Sequence, residues 1–254
     1  MDIPTEAAEA ARILHAVFGS DLVAVYLYGS AATAGLRPRS DVDVLAVVEG
    51  ETTAEARRAL GRELLRASGR YPPVSGEPRP LEVSVFNQAA LAEFRHPVRG
   101  EFVYGEWLRG TFEAGVEPAP SINPDFTLLL AQARQEGVAL FGPPVASVLP
   151  PVAPEDVRQA ILDSLSDLFE SLEGDERNVI LTLARMWFTL STGRFTSKAA
   201  AADWAIPQLH PDIAATLLLA RDGYRGTTAD DWHARAAEAR SAAQDLSERV
   251  RGAG

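Results

Sequence analysis

Val23-Ala24-Val25-Tyr26-Leu27-Tyr28-Gly29-Ser30 is followed, after ten residues, by Asp41-Val42-Asp43-Val44-Leu45-Ala46-Val47-Val48. Both runs are apolar and rich in β-branched residues, which predicts two strands, the first closed by a Gly-Ser turn. Side chains on a strand alternate between faces, so Asp41 and Asp43 point the same way. Two carboxylates held together repel unless a cation lies between them, and oxygen-only ligands suit a hard ion such as Mg²⁺. Gly29 lets the backbone approach a phosphate closely, and Ser30 adds a hydroxyl donor.

This arrangement resembles the signature of the nucleotidyltransferase superfamily with its polymerase-β-like palm. It is specific for that superfamily and silent about the substrate. In the palm a third acidic residue comes from a later strand beside the one bearing Asp-x-Asp. Leu81-Glu82-Val83-Ser84-Val85-Phe86 alternates as a strand, with Leu81, Val83 and Val85 on one side and Glu82 on the other. Glu82 is the candidate for that third carboxylate; otherwise it is an exposed strand residue.

Charge separates the members of such a superfamily. The 254 residues carry a formal net charge of −11, whereas a polymerase or tRNA-end transferase needs basic surface to neutralise phosphates. The balance argues against nucleic acid and for a small cationic acceptor. The chain has no cysteine and four scattered histidines, which excludes disulfides, thiolate chemistry and zinc-type spacing. Met1 to Ala11 lacks a basic-then-apolar signal pattern, and no apolar run is long enough to span a membrane. A cytoplasmic, monomeric protein with no membrane partner is expected.

The remaining elements follow from periodicity and punctuation. Residues 5–18 read as an amphipathic helix with Thr5 as its cap and Ile13, Leu14, Val17 and Phe18 as its buried stripe. Ser40, after Arg37-Pro38-Arg39, either holds a phosphate or stabilises the turn. Residues 51–67 form a second helix. Trp107 lies in a Gly- and charge-rich stretch, and by composition it is expected to pack. A helix over 124–140 starts at Pro124 with Asp125 in its first turn, where an acid complements the dipole. The Pro-rich segment 142–154 marks a boundary between residues 1–153 and 154–254. Beyond it the pattern is helical: 155–172, then a helix capped by Asp175 and ended by Gly193, an Ala-rich helix after Lys198, and helices near 211–222 and 228–250. In the second of these Val179, Ile180, Leu183, Met186, Trp187 and Leu190 form the apolar face. Asn178, Thr182, Arg185 and Thr189 form a polar one. The expected fold class is α/β (α+β), with an all-α bundle after a first domain that the resemblance implies to be a polymerase-β-like nucleotidyltransferase domain.

These residues leave other readings open, either a nucleotidyltransferase acting on another small molecule or a protein, or a nucleotide-binding regulator without catalysis. The intact set of Asp41, Asp43 and Glu82 argues against the regulator. Further strings narrow the choice: Tyr28-Gly29-Ser30, Ser40-Asp41-Val42-Asp43, Leu81-Glu82-Val83, Gly105-Glu106-Trp107, Gly174-Asp175-Glu176-Arg177-Asn178 with Leu181-Thr182-Leu183-Ala184-Arg185-Met186-Trp187, and Lys198 before Ala202-Asp203-Trp204-Ala205. In this order they resemble the aminoglycoside (3'')(9) adenylyltransferases. The resemblance implies transfer of AMP from Mg-ATP to a hydroxyl of a cationic antibiotic, spectinomycin or streptomycin. It makes Asp41, Asp43 and Glu82 the ligands of two Mg²⁺ ions and Glu82 the base. Gly29, Ser30, Ser40, Asp125, Arg185, Lys198 and Tyr224 are implied near ATP; Glu82, Trp107, Asp175 and Asn178 are implied at the drug. Two departures stand out. Asn178 replaces a histidine of some relatives, and the stretch Asp167 to Glu173 lacks the Trp that many streptomycin-modifying members carry, so spectinomycin is the expected preference.

Overall fold

The computed structural model describes residues 2–116 and 118–253. The chain forms two compact units, Met1–Ala153 and Pro154–Gly254. In the first, elements follow in the order α1 (Thr5–Phe18), β1 (Leu22–Tyr28), α2 (Gly29–Ala32), β2 (Val42–Val48), α3 (Ala54–Ala67), β3 (Leu81–Asn87), α4 (Gln88–Ala92), β4 (Arg99–Gly100) and β5 (Phe102–Tyr104). Then come α5 (Arg109–Glu113), β6 (Ser121–Ile122), α6 (Pro124–Glu136), β7 (Val138–Phe141) and α7 (Val145–Val148).

Five strands make one mixed sheet in the order β5-β3-β2-β1-β7, while β4 and β6 pair separately. β2 and β3 run parallel, and the other neighbours in the main sheet are antiparallel. Strict alternation divides each central strand between two layers. Val25, Leu27, Val44, Val83 and Val85 pack with Ile13 and Leu14 of α1 and Leu60 and Leu64 of α3. Ala24, Tyr26, Leu45, Val47 and Phe86 pack with Phe126, Leu130 and Ala133 of α6. Burial on both faces is why β1, β2 and β3 read as near-continuous apolar runs. It also makes the few polar positions at their ends conspicuous.

The helical unit comprises α8 (Pro154–Glu170), α9 (Glu176–Thr192), α10 (Lys198–Ala205), α11 (Pro211–Arg225) and α12 (Ala236–Gly252). α9 is its centre. Val179, Ile180, Leu183, Met186 and Trp187 are buried as the periodicity requires, but so are Leu181, Ala184 and Thr189. Thr189 therefore does not belong to an open polar face, because neighbouring helices cover α9 on more than one side. Trp187 meets Trp204 of α10 edge-on at 4.8 Å between ring centroids, and the Arg249 guanidinium lies 4.9 Å over the Trp187 ring.

Several sequence expectations need correction. Pro4, not Thr5, precedes α1, and no side chain caps that helix. The second helix begins at Ala54 rather than 51, because the Thr53 hydroxyl accepts the Ala56 N–H and sets its start. The helix expected to reach residue 140 stops at Glu136, and Val138–Phe141 turns into edge strand β7 against β1. Gly137 leaves the helix in extended conformation, and pairing to β1 then outweighs helix propensity. Residues 226–235 are not helical. Gly226 ends α11 in the left-handed conformation, and a buried ion pair from Asp230 to Arg177, 2.6 Å, holds the loop that follows.

Candidate active site

The three carboxylates predicted to gather do so. Asp43 is the register partner of Tyr28 on β1 and of Glu82 on β3. Asp41 lies one residue before β2, separated from Asp43 by the fully buried Val42, so both aspartates leave the chain on one face. One oxygen from each of Asp41, Asp43 and Glu82 lies within 4.8 Å of the others, and all three residues are half-buried. Like charges at this range are unfavourable unless a cation is shared. An all-oxygen donor set fits a hard divalent ion such as Mg²⁺.

Gly29 is built into the same spot. Its φ is +66°, and a Cβ there would stand 2.1 Å from the Asp43 Oδ2. A side chain there would strain the backbone and require the Asp43 carboxylate to shift. Ser30 follows in the helical turn Gly29–Ala32, half-buried, and its carbonyl accepts the Gly35 N–H at 2.9 Å. Its hydroxyl makes no hydrogen bond among the described residues.

Ser40 is 5% exposed and works in the turn: its Oγ accepts the Arg37 N–H at 3.0 Å. Arg79 donates to the carbonyls of both Arg37 and Ser40, each at 2.9 Å, clamping the turn that delivers Asp41. Asp125 is exposed in the first turn of α6, where the Asn123 side chain takes its N–H at 2.9 Å. That makes Asn123 the cap. Trp107 departs from its expected packing role, being 63% exposed in a short 3₁₀ turn after Gly105. Packing did not claim it because the chain turns there at the end of β5, and the buried position is taken by Glu106.

In the helical unit Asp175, Asn178 and Lys198 form one chain of polar contacts. The Asn178 Nδ2 donates to the Asp175 Oδ2 at 2.8 Å, and the Lys198 Nζ donates to the Asn178 Oδ1. Asp175 occupies the residue before α9 but makes no side-chain bond to the helix backbone, so its expected capping role is not observed. Partial burial raises its carboxyl above the usual 3.8, opposed by the Asn178 hydrogen bond and the Lys198 charge. Lys198 is the first residue of α10, where the helix dipole disfavours a cation. Arg185 lies two turns along α9 from Asn178, and Tyr224 is in the last turn of α11; both are half-buried. Sequence reading assigned no part to Glu106 or Ser68, which share a hydrogen bond across 38 positions. No local periodicity reveals such a pair.

Comparison with known proteins covers both units. Residues 9–94 match the family model "Nucleotidyltransferase domain" and residues 147–249 match "Aminoglycoside adenylyltransferase, C-terminal domain". A spectinomycin 9-adenylyltransferase of Staphylococcus aureus is 48% identical over 91% of this chain and 88% of that protein. An aminoglycoside (3'')(9) adenylyltransferase of Escherichia coli is 36% identical over 92% and 90%. Among solved structures, the spectinomycin adenyltransferase AAD(9) from Enterococcus faecialis, crystallised with ATP and spectinomycin, aligns with a TM-score of 0.91. It is 29% identical, and the alignment covers 97% of this chain and 98% of that one.

Proposed function

The chain belongs to the aminoglycoside adenylyltransferase family, and from that premise we propose that it transfers AMP from ATP to a hydroxyl of spectinomycin, thereby conferring resistance. The observation that carries the reading is the convergence of Asp41, Asp43 and Glu82 within 4.8 Å beside a glycine whose Cβ would stand 2.1 Å from the Asp43 carboxylate. In the reaction the drug oxygen forms a bond to the α-phosphorus, the bond to the β-phosphate oxygen breaks, pyrophosphate leaves, and the hydroxyl proton passes to Glu82. An in-line displacement of this kind depends on positioning and on neutralising the charge of the phosphates.

Asp41, Asp43 and Glu82 would hold Mg²⁺, and two ions fit the reaction class. When bound, the metal supplies Lewis-acid polarisation of the α-phosphate and offsets the charge on pyrophosphate. Glu82 acts as general base. Gly29 and Ser30 approach the phosphates through backbone and hydroxyl, with Ser40 shaping the turn behind Asp41. Arg185 and Lys198 supply the positive charge that an otherwise acidic protein must bring to a triphosphate. Asp125 and Tyr224 complete the nucleotide's contacts.

Asp175 faces a cationic amine of the drug, Asn178 contributes an amide that both donates and accepts, and Trp107 packs on the drug's ring. An ATP-dependent enzyme of this kind works in the cytoplasm as a monomer, on ATP and a cationic antibiotic rather than on nucleic acid. Spectinomycin is favoured over streptomycin because no Trp lies between residues 108 and 186 to extend the platform.

Pyrophosphate release by the purified protein with ATP and Mg²⁺ tests the reading, comparing spectinomycin, streptomycin, kanamycin and no acceptor. Release with spectinomycin above streptomycin is expected. Equal rates with both drugs would remove the preference. No release with any of them, despite binding of Mg-ATP, would point to another acceptor or to a regulator.

A further inference from the structure

Of the string Gly105-Glu106-Trp107, the reading above uses only the tryptophan. Its two neighbours are arranged around that indole. The ring lies directly over Gly105, where a Cβ would stand 2.2 Å from two of its carbons. The φ at Gly105 is −163°, so the backbone admits any residue. What requires glycine is the ring above it. Glu106 turns the opposite way, into the protein, with only 9% of its side chain exposed.

There the Glu106 carboxylate is fully engaged. Its Oε1 accepts from the Ser68 Oγ at 2.8 Å, the Tyr104 hydroxyl at 3.0 Å and the Arg109 Nη2 at 2.9 Å. Its Oε2 accepts from the Arg109 Nε at 2.6 Å. Arg109 in turn donates to the carbonyls of Ser68 and Gly69 at 2.9 and 3.3 Å. The Ser68 Oγ also accepts the N–H of Leu81 at 3.0 Å. Leu81 opens β3, and the next residue is Glu82. One buried carboxylate is therefore tied, through a single serine hydroxyl, to the strand start that carries the reacting carboxylate. Through its own backbone it is tied to the exposed indole.

We propose that Glu106 is a positioning residue of the transfer reaction, which with Gly105 as a seat locks the Trp107 indole in place relative to Glu82. This rests on the reading that Trp107 meets the drug and Glu82 takes its proton. The physical case is one of pre-organisation. An exposed indole contributes little to folding, and left free it would lose its rotamer freedom when a ligand stacks on it. A bidentate Arg109–Glu106 pair with every oxygen engaged moves that ordering cost into folding. Tyr104 belongs to the same structure: burial pushes its phenol up to about 12, so it remains a donor across the working pH range.

The test is a double-mutant cycle on the full-length protein. Spectinomycin is titrated calorimetrically in the presence of Mg²⁺ and a non-hydrolysable ATP analogue, into the parent, Glu106→Gln, Trp107→Ala and the double variant. Glu106→Gln is expected to weaken spectinomycin binding about tenfold while the affinity for the ATP analogue stays within about twofold. The double variant is expected to bind no more weakly than Trp107→Ala alone. Additive losses, or equal loss of drug and nucleotide affinity, would reduce Glu106 to a structural role and overturn the proposal. If Trp107→Ala leaves drug affinity unchanged, the drug-site reading itself fails, and the proposal fails with it. Ser68→Ala keeps the Arg109–Glu106 pair and serves if Glu106→Gln does not fold. It should show a smaller loss, again selective for the drug and absent on a Trp107→Ala background; an additive loss counts against the proposal.

Discussion

Asp43 and Glu82 are register partners across the parallel β2–β3 pair, and their carboxylates converge with that of Asp41. Parallel pairing fixes this relationship more firmly than any loop could, because a one-residue slip of either strand would turn that strand's carboxylate to the opposite face, away from its partner. Glu82→Ala should therefore lower spectinomycin-dependent pyrophosphate release by about 10²–10⁴-fold while the fold is retained. Chelation with EDTA should abolish turnover of the parent and added Mg²⁺ should restore it; activity persisting in EDTA would contradict the metal assignment.

Gly29 faces two penalties on substitution. Alanine at φ +66° costs about 1–2 kcal/mol, and the new methyl would meet the Asp43 carboxylate. Gly29→Ala should lower the unfolding midpoint and reduce turnover together. Thermal unfolding and pyrophosphate release on the same sample decide this, and a stable, fully active variant would show that the turn can yield.

Asp175 makes a pH-dependent prediction. Its folded-state carboxyl is raised above 3.8 by partial burial, so it binds its proton more readily in the folded chain than in the unfolded one. The stability associated with that proton is complete below 3.8 and is lost as pH rises through the raised value. Asp175→Asn should thus gain stability near neutral pH relative to the parent, yet bind spectinomycin more weakly. In the parent, drug affinity should fall on acidification beginning at a higher pH than an ordinary aspartate would give. A profile identical in parent and variant would remove Asp175 from the drug contact.

Lys198 opens α10, where a cation is unfavourable by about 0.3–1 kcal/mol. Lys198→Ala should leave thermal stability nearly unchanged, since relief of that repulsion offsets the lost bond to Asn178. Its KM for ATP should rise about tenfold, as expected for a lost charge-assisted phosphate contact. A large fall in the unfolding midpoint with normal ATP kinetics would assign the lysine to the fold instead.

Asp230 is a purely structural case. It pairs with Arg177 at 2.6 Å, both side chains under 10% exposed, and accepts the Trp232 indole N–H at 2.8 Å. Asp230→Ala strands a buried guanidinium and should cost about 3–5 kcal/mol, measured by denaturant unfolding. The string Gly174 to Asn178 is thus divided: Asp175 and Asn178 face the polar chain to Lys198, while Arg177 anchors the loop after α11.

Much of the site was legible before any tertiary contact was known. Strand alternation places Asp41 with Asp43 and Glu82 opposite Val83, and glycine marks the turn that must tolerate φ +66°. These are properties of the local backbone, so the sequence by itself determined the Asp41–Asp43 pair, the strands bearing the carboxylates and the helical character of the second unit. Glu82 was named through the resemblance to the palm, and the β2–β3 pairing brings it to the aspartates. What the local pattern could not decide was settled by partners distant in the chain. Residues 138–141 become a strand because β1 offers an unpaired edge, and Thr189 is buried because neighbouring helices cover it. Trp107 stands exposed because Glu106 is drawn inward by Ser68 and Arg109. The Arg177–Asp230 pair closes across 53 positions. Burial, ion pairing and edge pairing depend on which surfaces meet, and only the tertiary structure decided that.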